Sequence, residues 1–381
     1  MRANTGSILC LPQRPSFARR AKLTNSIWGF ERYGDISTID ALVFLFVPER
    51  KGYEEPPMPA TFGDMLIKLR EQSHPAILDR DAVIADAEKH LTPWLDLIRD
   101  LVNYGTNLIV RCVNSSERKT KDKVILAILL RQAVAMLDGV EVLLSKGSTH
   151  AANLQMRALF EAYVYINWIL AGDSQRKAQY YSVHNLRRKR LWASRTQTGS
   201  PDAAEFAAEM GKYGLNITTE LQERSREQMK EIDRILALPE LASVNADFDA
   251  VRAKRKPPRE VAWYVPLGPR SFAAIARATG HAALYVLLYS VASEVMHSSS
   301  EDQHVEFEAG KLTIKPIRFL GGFEPVFRFS VSIALDLYRK ILHEYRYEEL
   351  PAFSRKYLEQ WQKQYLNFLK IKYEGGAVIT I

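Results

Sequence analysis

Residues 153–170 read NLQMRALFEAYVYINWIL, and this stretch decides the fold class because its apolar residues recur at the spacing of an α-helix. Ser148 or Thr149 precedes it as a candidate N-cap, and Gly172 follows it, where glycine commonly ends a helix. The stretch therefore predicts a core helix over residues 149–171.

The same period continues over most of the chain from Asp81 onward. Pro93 is expected to kink the first helix, and RAKRKPPR at 252–259 is expected to be a charged linker. The spacing of apolar residues predicts further helices over residues 84–113, 123–144, 174–196, 202–212, 218–238, 271–278, 281–296, 325–347 and 354–372.

One segment has a different period. Residues 304–316 read HVEFEAGKLTIKP and alternate between apolar and polar around Ala309-Gly310, which predicts a β-hairpin. The sequence thus predicts a mainly α fold, a multi-helix bundle with a small β-hairpin near 304–316. Other strand content is expected only in a short piece near residues 41–47.

The length of 381 residues predicts two or three folding units at the usual ~100–200 residues each. We expect an irregular basic leader with one short apolar element over residues 1–60 and a helical bundle domain over 61–300. Over 301–381 we expect the hairpin and C-terminal helices packed on the bundle. The first thirty residues contain arginines but no acid, which fits a transit peptide as well as a disordered basic leader.

Composition and the absence of common motifs argue against a membrane-spanning protein and against several enzyme classes. Hydrophobic residues make up 47% and charged residues 25% of the chain, with a formal net charge of +8. The two cysteines, Cys10 and Cys112, form no metal-binding pattern, which favours a reducing, cytoplasmic location. No apolar run is long enough to cross a membrane. No Walker A, GxGxxG, HExxH or GxSxG motif occurs, so no metal or cofactor is expected.

A family resemblance rests on three segments: LLRQAVAMLDGVEVLL, then NLQMRALFEAYVYINWIL, then AWYVPLGPRSFAAIARATGHAALYVLLYSVASEVMHSS. With Arg157 and Glu161 on one helix, Trp263, and Ser293 before His297, residues 123–307 resemble the DUF5677 family of unknown function. The resemblance implies an all-helical bundle similar to HEPN-like domains of RNA- or nucleotide-directed toxins and phage-defence proteins. HEPN ribonucleases carry Arg and His on one helix with four to six residues between them. The closest pairs in this chain, including Arg339 with His343, have only three intervening residues.

Two polar stripes predict a shared site. On helix 149–171, Asn153, Arg157, Glu161 and Tyr165 follow at i,i+4 steps. On helix 281–297, a second stripe holds Tyr285, Tyr289, Ser293 and His297. Charged groups on apolar helices are costly unless paired, so these residues are expected to converge, together with Asp138 and Glu141 of helix 123–144.

Two interpretations of that cluster stay open. In the first, Arg157, Glu161 and His297 are catalytic, with His297 as acid or base and Arg157 holding an anion. Substrate contacts would then come from Asn153, Tyr165, Tyr289 and Ser293. In the second, Arg157 and Glu161 belong to an ion-pair network that fixes the register of the helices. Whether the protein is an enzyme is not decided by its sequence.

Helix 174–196 is basic and contains no acid. Cations interleaved with aromatic residues suit phosphate contact and base stacking, although solvated basic helices are also common. The expected nucleic-acid contacts are Arg187, Arg188, Lys189, Arg190 and Trp192.

Three functions therefore compete. The first is a HEPN-like toxin or defence effector acting on RNA or nucleotides. The second is a non-catalytic module that binds nucleic acid or protein. The third is a helical interaction protein that forms a homodimer through its apolar helices. The expected partners are RNA or another anion and a second copy of the chain.

Overall fold

The structure is a computed structural model that describes residues 78–115, 122–199, 201–256, 259–297, 304–308, 311–368, 371–374 and 377–380. The predicted leader over residues 1–60 and the predicted apolar piece near 41–47 lie outside this range. Within it the chain is mainly α, as predicted.

The first part of the described chain is wholly helical. It contains α1 (Arg80–Ser115), α2 (Asp122–Ser145), α3 (Thr149–Leu170), α4 (Ser174–Ser194), α5 (Pro201–Lys212), α6 (Thr219–Leu236) and α7 (Pro239–Ala253).

Shorter elements follow. They are a 3₁₀ turn (Val265–Leu267), α8 (Phe272–Ala278), α9 (Ala282–Leu284), a π-helical segment (Tyr285–Ser290), α10 (Val291–Met296), β1 (Val305–Glu308), β2 (Lys311–Ile314), α11 (Phe323–Tyr345), a 3₁₀ turn (Tyr347–Glu349), α12 (Leu350–Lys356), a second π-helical segment (Tyr357–Trp361), α13 (Gln362–Leu366), β3 (Ile371–Glu374) and β4 (Ala377–Thr380).

The core is built from four long helices. α2 packs against both α1 and α3, and α11 packs against all three. Their facing side chains are almost entirely apolar and fully buried, among them Leu101, Leu137 and Leu337. This burial is the main favourable term that holds the bundle together.

The start of α3 is fastened to the chain just before α11. Gly147, at φ 67°, takes a left-handed conformation that glycine adopts without strain and turns the chain out of α2. Ser148 occupies the N-cap position but makes no capping bond through its side chain. The Thr149 hydroxyl instead contacts the carbonyl oxygens of Phe319 and Gly321, at 2.8 and 3.0 Å. This anchor sets the position of α3 relative to α11.

The hairpin predicted near 304–316 is present, with β1 and β2 antiparallel and Glu308 opposite Lys311. The expectation that strands would be confined to it is wrong. β3 and β4 form a second antiparallel pair, with Ile371 opposite Thr380, where the predicted C-terminal helix was to end. The alternating sequence IKYEGGAVIT, with a central Gly-Gly pair, carried this signal.

Three helix predictions also need correction. The chain over 281–297 is a short helix, a π-helical segment and another short helix, so an i,i+4 stripe does not hold across it. The predicted helix 354–372 is likewise interrupted by Tyr357–Trp361. The sequence did not predict α7, which occupies the chain between the predicted helix 218–238 and the linker.

Candidate functional site

Arg157 is the buried charge at the centre of the predicted cluster. It lies on α3 with only 4% of its surface exposed. Its Nη2 donates to the Tyr289 hydroxyl at 2.6 Å, and its guanidinium lies 4.1 Å from the centroid of that ring. Its Nη1 contacts Met296 Sδ at 2.9 Å. The side chain of Arg157 thus links α3 to the π-helical segment and to α10.

Glu161 supplies the balancing charge. Its Oε1 lies 3.6 Å from Arg157 Nη2, one turn along α3, and the residue is itself buried. Burial, followed by the negative charge of Glu161, raises the pKa of Tyr289 to about 12. Tyr289 therefore keeps its proton near neutral pH and serves as a neutral polar partner of the ion pair.

The π-helical segment explains how Tyr289 reaches this position. A π turn holds one more residue than an α turn and shifts the following side chains around the helix. The shift separates Tyr289 from the straight stripe that the sequence indicated. The Nε of Arg157 has no hydrogen-bond acceptor within the described part of the chain. Arg157 and Glu161 consequently form a buried ion pair in which the Nε–H of Arg157 is the donor without an acceptor.

Several residues expected in this cluster lie elsewhere. His297 is exposed and caps the C-terminal end of α10, where its backbone N donates to the carbonyl oxygen of Ser293. No hydrogen bond in the described structure joins it to Arg157. Asp138 is exposed, and Glu141 pairs with Arg99 of α1 at 2.5 Å. The described part of the structure therefore shows no bond from these three residues to the Arg157–Glu161 pair, and a site that joins them stays a prediction.

The remaining members of the two stripes pack without reaching the ion pair. Asn153 donates to the backbone oxygen of Thr149 within its own helix. Tyr165 makes edge contacts with the rings of Trp263 and Phe272. Both side chains are half-buried. Of the predicted substrate contacts, Asn153 thus makes a local helix bond and Tyr165 joins an aromatic cluster, whereas Tyr289 contacts Arg157.

Two arginines of the basic helix α4, Arg187 and Arg190, pair with acids of the same chain. Arg187 is buried and bonds Glu260 through both Nε and Nη2, at 3.1 and 2.9 Å, while Nη2 also pairs with Asp249 at 2.8 Å. Arg190 pairs with Asp233 of α6 at 2.5 Å. Acids more than forty residues along the chain supply these partners, so the local absence of acid in the sequence was misleading.

The other predicted nucleic-acid contacts are Arg188, Lys189 and Trp192, and of these three only Lys189 is exposed. Lys189 is exposed, and the half-buried Trp192 has the guanidinium of Arg195 4.4 Å from its ring centroid. Arg188 is half-buried and has an interaction of its own within the protein. Arg187 cannot contact phosphate in this structure, because it is buried and paired with acids. Lys189 is exposed and can contact phosphate.

An open cleft that the sequence did not predict lies at the other end of α3. Its volume is 540 Å³, within the range of small-molecule sites. The end of α3, the last turns of α11 and the short helix α12 form its walls. Its lining residues are Asn167, Leu170, Ala171, Arg339, Lys340, His343, Glu344, Leu350 and Ser354.

One wall of the cleft carries two cations, a histidine and the acid Glu344. Arg339, Lys340 and His343 lie within two turns of α11, and Arg339 and His343 are mostly exposed. The end of α3 that faces this wall carries the partial negative charge of a helix C-terminus. Lys177 compensates that charge, because its Nζ donates to the carbonyl oxygens of Trp168 and Ala171. The cleft therefore holds two cations, Arg339 and Lys340, which pair with Asp336 and lie beside Glu344 and apolar side chains. An anion carrying an apolar group would compete with Asp336 for these two cations.

A polar cluster beside the cleft holds these cations in place. Asp336 Oδ1 accepts from Arg339 Nη2 at 2.7 Å, and its Oδ2 accepts from the Tyr163 hydroxyl at 2.6 Å. Burial would raise the pKa of Asp336, but the bonds from Tyr163 and Arg339 outweigh it and lower that pKa. His281 lies against Tyr163 with ring centroids 4.8 Å apart. Burial lowers its pKa, with Lys340 adding to the effect.

The sequence contained only a faint sign of this cleft. Arg339 and His343 stood out as a pair one turn apart on a helix, but their spacing did not match the HEPN pattern. Nothing local showed that the end of α3 would face them. Among the described residues, no group of three His, Cys, Asp or Glu side chains could hold a metal ion. No helix in the described ranges is long and apolar enough to cross a membrane.

Comparison with known proteins gives a family match. The model of DUF5677, a family of unknown function, matches residues 123–311, which span α2 to the start of β2. No curated protein and no solved structure shows significant similarity to the chain. The matched region contains Arg157, Glu161 and Tyr289, whereas Arg339 and His343 lie beyond it. The chain therefore carries a DUF5677 region over residues 123–311, and the family predicted from its sequence is confirmed.

Proposed function

We propose that the protein is a helical module that binds a phosphate-bearing ligand, a nucleotide or the end of an RNA strand, in the cleft between α3, α11 and α12. The observation that carries the proposal is the presence of two adjacent cations, Arg339 and Lys340, on the wall of an open 540 Å³ cleft. Arg339 and Lys340 would contact phosphate oxygens, and Leu170 and Leu350 would contact the base or sugar.

The Arg157–Glu161 pair has a structural role in this proposal. Both side chains are buried, and their contacts are with Tyr289, Met296 and each other. A buried arginine with these partners fixes how α3 meets α10, which is the structural alternative that the sequence left open. The catalytic roles predicted for Arg157, Glu161 and His297 form the competing proposal.

The proposal is tested by titrating a fluorescent 5′-phosphorylated single-stranded RNA, and separately AMP, against the protein. The double variant Arg339→Ala/Lys340→Ala is expected to weaken both at least about tenfold, since each lost charged contact costs roughly 1–3 kcal/mol. Arg234→Ala is the matched control. Arg234 pairs with an acid three residues earlier and is 67% exposed, against 65% for Arg339. Equal affinity of wild type and double variant would reject the cleft as the site.

A longer RNA strand is proposed to reach Lys189 on α4 as well. Lys189→Glu should then weaken binding of a strand of about sixteen nucleotides but leave AMP binding unchanged. This outcome separates an extended nucleic-acid surface from a site for a small nucleotide alone.

A second candidate function is cleavage of the bound RNA, as in the HEPN-like effectors that the sequence resembles. His343 shares the cleft with Arg339 and is mostly exposed, so its imidazole can reach a bound strand. In that case His343 accepts the 2′-hydroxyl proton as the 2′-oxygen bonds to phosphorus, and Arg339 and Lys340 hold the phosphate. The bond from phosphorus to the 5′-oxygen breaks, and the leaving oxygen takes a proton from water. The products would carry 2′,3′-cyclic phosphate ends, and His343→Gln would abolish them without weakening binding. Intact RNA after long incubation with wild type leaves binding as the function.

A further inference from the structure

The outer face of α2 is apolar and exposed. Its exposed residues follow steps of four and three along the helix, the spacing of a seam between paired helices. Val124, Ile128 and Val142 are 64%, 51% and 49% exposed. The other residues of this face are Arg131, Ala135 and Asp138.

The two charges on this face are opposite in sign and unpaired. Arg131 and Asp138 are exposed, and neither forms an ion pair or hydrogen bond within the described part of the chain. Seven residues of helix separate them by about 10 Å, too far for contact with each other. Arg131 and Asp138 lie on either side of Ala135, and they fit a partner that carries the same charges in reverse order.

We propose that this face binds a second copy of the chain with the two α2 helices antiparallel. A two-fold axis near Ala135 brings Arg131 against Asp138 of the second copy, and the symmetry repeats this pair. The same register sets Ile128 against Val142 of the second copy. A parallel arrangement would place Arg131 beside Arg131, so the charges select the antiparallel one.

The affinity should be modest and independent of the cleft. One pair of helices makes a small interface, so we expect a dissociation constant in the range of about 1–100 μM. The face lies on α2, which contributes no residue to the cleft between α3, α11 and α12. Failure of nucleotide binding therefore leaves the dimer proposal standing, and the reverse is also true.

The test is sedimentation velocity on the full chain over a series of concentrations at low salt. Wild type should dimerise, and Arg131→Glu or Asp138→Arg alone should weaken the dimer at least about tenfold, because each creates two like-charge contacts. Mixing these two single variants should restore dimers, because each then meets the opposite charge on the other. Ile128→Asp should give a monomer.

Arg226→Glu is the control for the change of charge, since Arg226 is exposed on α6. It is expected to leave the dimer intact. A wild type that stays monomeric at several hundred micromolar, or a dimer that Arg131→Glu and Ile128→Asp leave unchanged, would overturn the proposal. So would a mixture of the two charge variants that remains monomeric.

Discussion

The hydroxyl of Tyr163 donates to Asp336 Oδ2 at 2.6 Å and joins the middle of α3 to α11 beside the cleft. The other oxygen of the same carboxylate accepts from Arg339. Tyr163 of α3 therefore influences the orientation of Arg339 in the cleft, because both side chains bond to Asp336. The bond also raises the pKa of Tyr163, after the larger effect of burial.

We predict that Tyr163→Phe lowers the free energy of unfolding by about 1.5–3 kcal/mol, the usual value of a hydrogen bond to a charged group. The loss should be greatest at neutral pH. Because Asp336 has a lowered pKa in the folded state, its contribution is present above the unfolded pKa and is lost as pH falls through the folded one. Without Tyr163 that loss should begin at higher pH.

Urea unfolding at several pH values measures this effect. Tyr213→Phe is the control, because Tyr213 is exposed and its hydroxyl makes no contact within the described residues. Equal stability of Tyr163→Phe and wild type from pH 3 to pH 8 would show that the bond to Asp336 contributes nothing.

The buried pair gives a second prediction. Glu161→Ala should lower the free energy of unfolding by about 3–5 kcal/mol, because it leaves Arg157 charged and buried without its acid. The paired change Arg157→Met/Glu161→Leu should recover most of that loss, since apolar residues of similar size often replace a buried ion pair at little cost. Glu227→Ala, at an exposed position on α6, should have little effect.

A catalytic Glu161 would behave differently. Glu161→Gln would then abolish turnover of any substrate while leaving thermal stability close to wild type. A structural Glu161 changes stability first, and ligand binding in the cleft only as far as the fold is lost. Thermal unfolding and nucleotide binding, measured on the same preparations, separate the two roles.

Acid should destabilise the protein through His184. Burial, with a smaller contribution from Arg188, lowers the pKa of His184 from 6.5 to about 4. Between these values the unfolded chain binds the proton more tightly, so the free energy of unfolding falls as pH falls from 6.5 toward 4. His184 accounts for up to about 3 kcal/mol of that change at 1.36 kcal/mol per pKa unit.

Denaturant midpoints from pH 8 to pH 4 test this prediction. His184→Gln should be less stable than wild type at pH 8 but lose less stability on acidification. The stability of the variant should still decrease somewhat as pH falls, because burial also lowers the pKa of His281. Parallel pH profiles of wild type and variant would contradict the assignment.

The helices were predictable because their signals are local. The apolar period and the flanking Gly147 and Gly172 placed α3 within two residues of its observed ends. The first hairpin followed from strict alternation over 304–316. The π-helical segment at Tyr285–Ser290 was not predictable in this way, since its residues are ordinary helix formers and tertiary packing sets the extra residue in the turn.

The site was less predictable because its partners are distant in sequence. Arg157 and Glu161 are one turn apart, so their pairing could be foreseen, whereas the contact of Arg157 with Tyr289 spans 132 positions. His297 was placed in the cluster by an i,i+4 stripe that the π turn breaks. Arg187 was placed on a nucleic-acid face because Asp249 and Glu260 lie on later segments.

The central claim, that phosphate binds in the cleft through Arg339 and Lys340, is tested most directly by the salt dependence of RNA binding. For single strands, log affinity falls with log salt by about 0.7 for each phosphate neutralised. Between 50 and 300 mM salt, we predict that the slope for Arg339→Ala/Lys340→Ala is shallower than that of wild type by about 1.4. The slope for Arg234→Ala should match wild type. A double variant with the affinity and slope of wild type would contradict the claim.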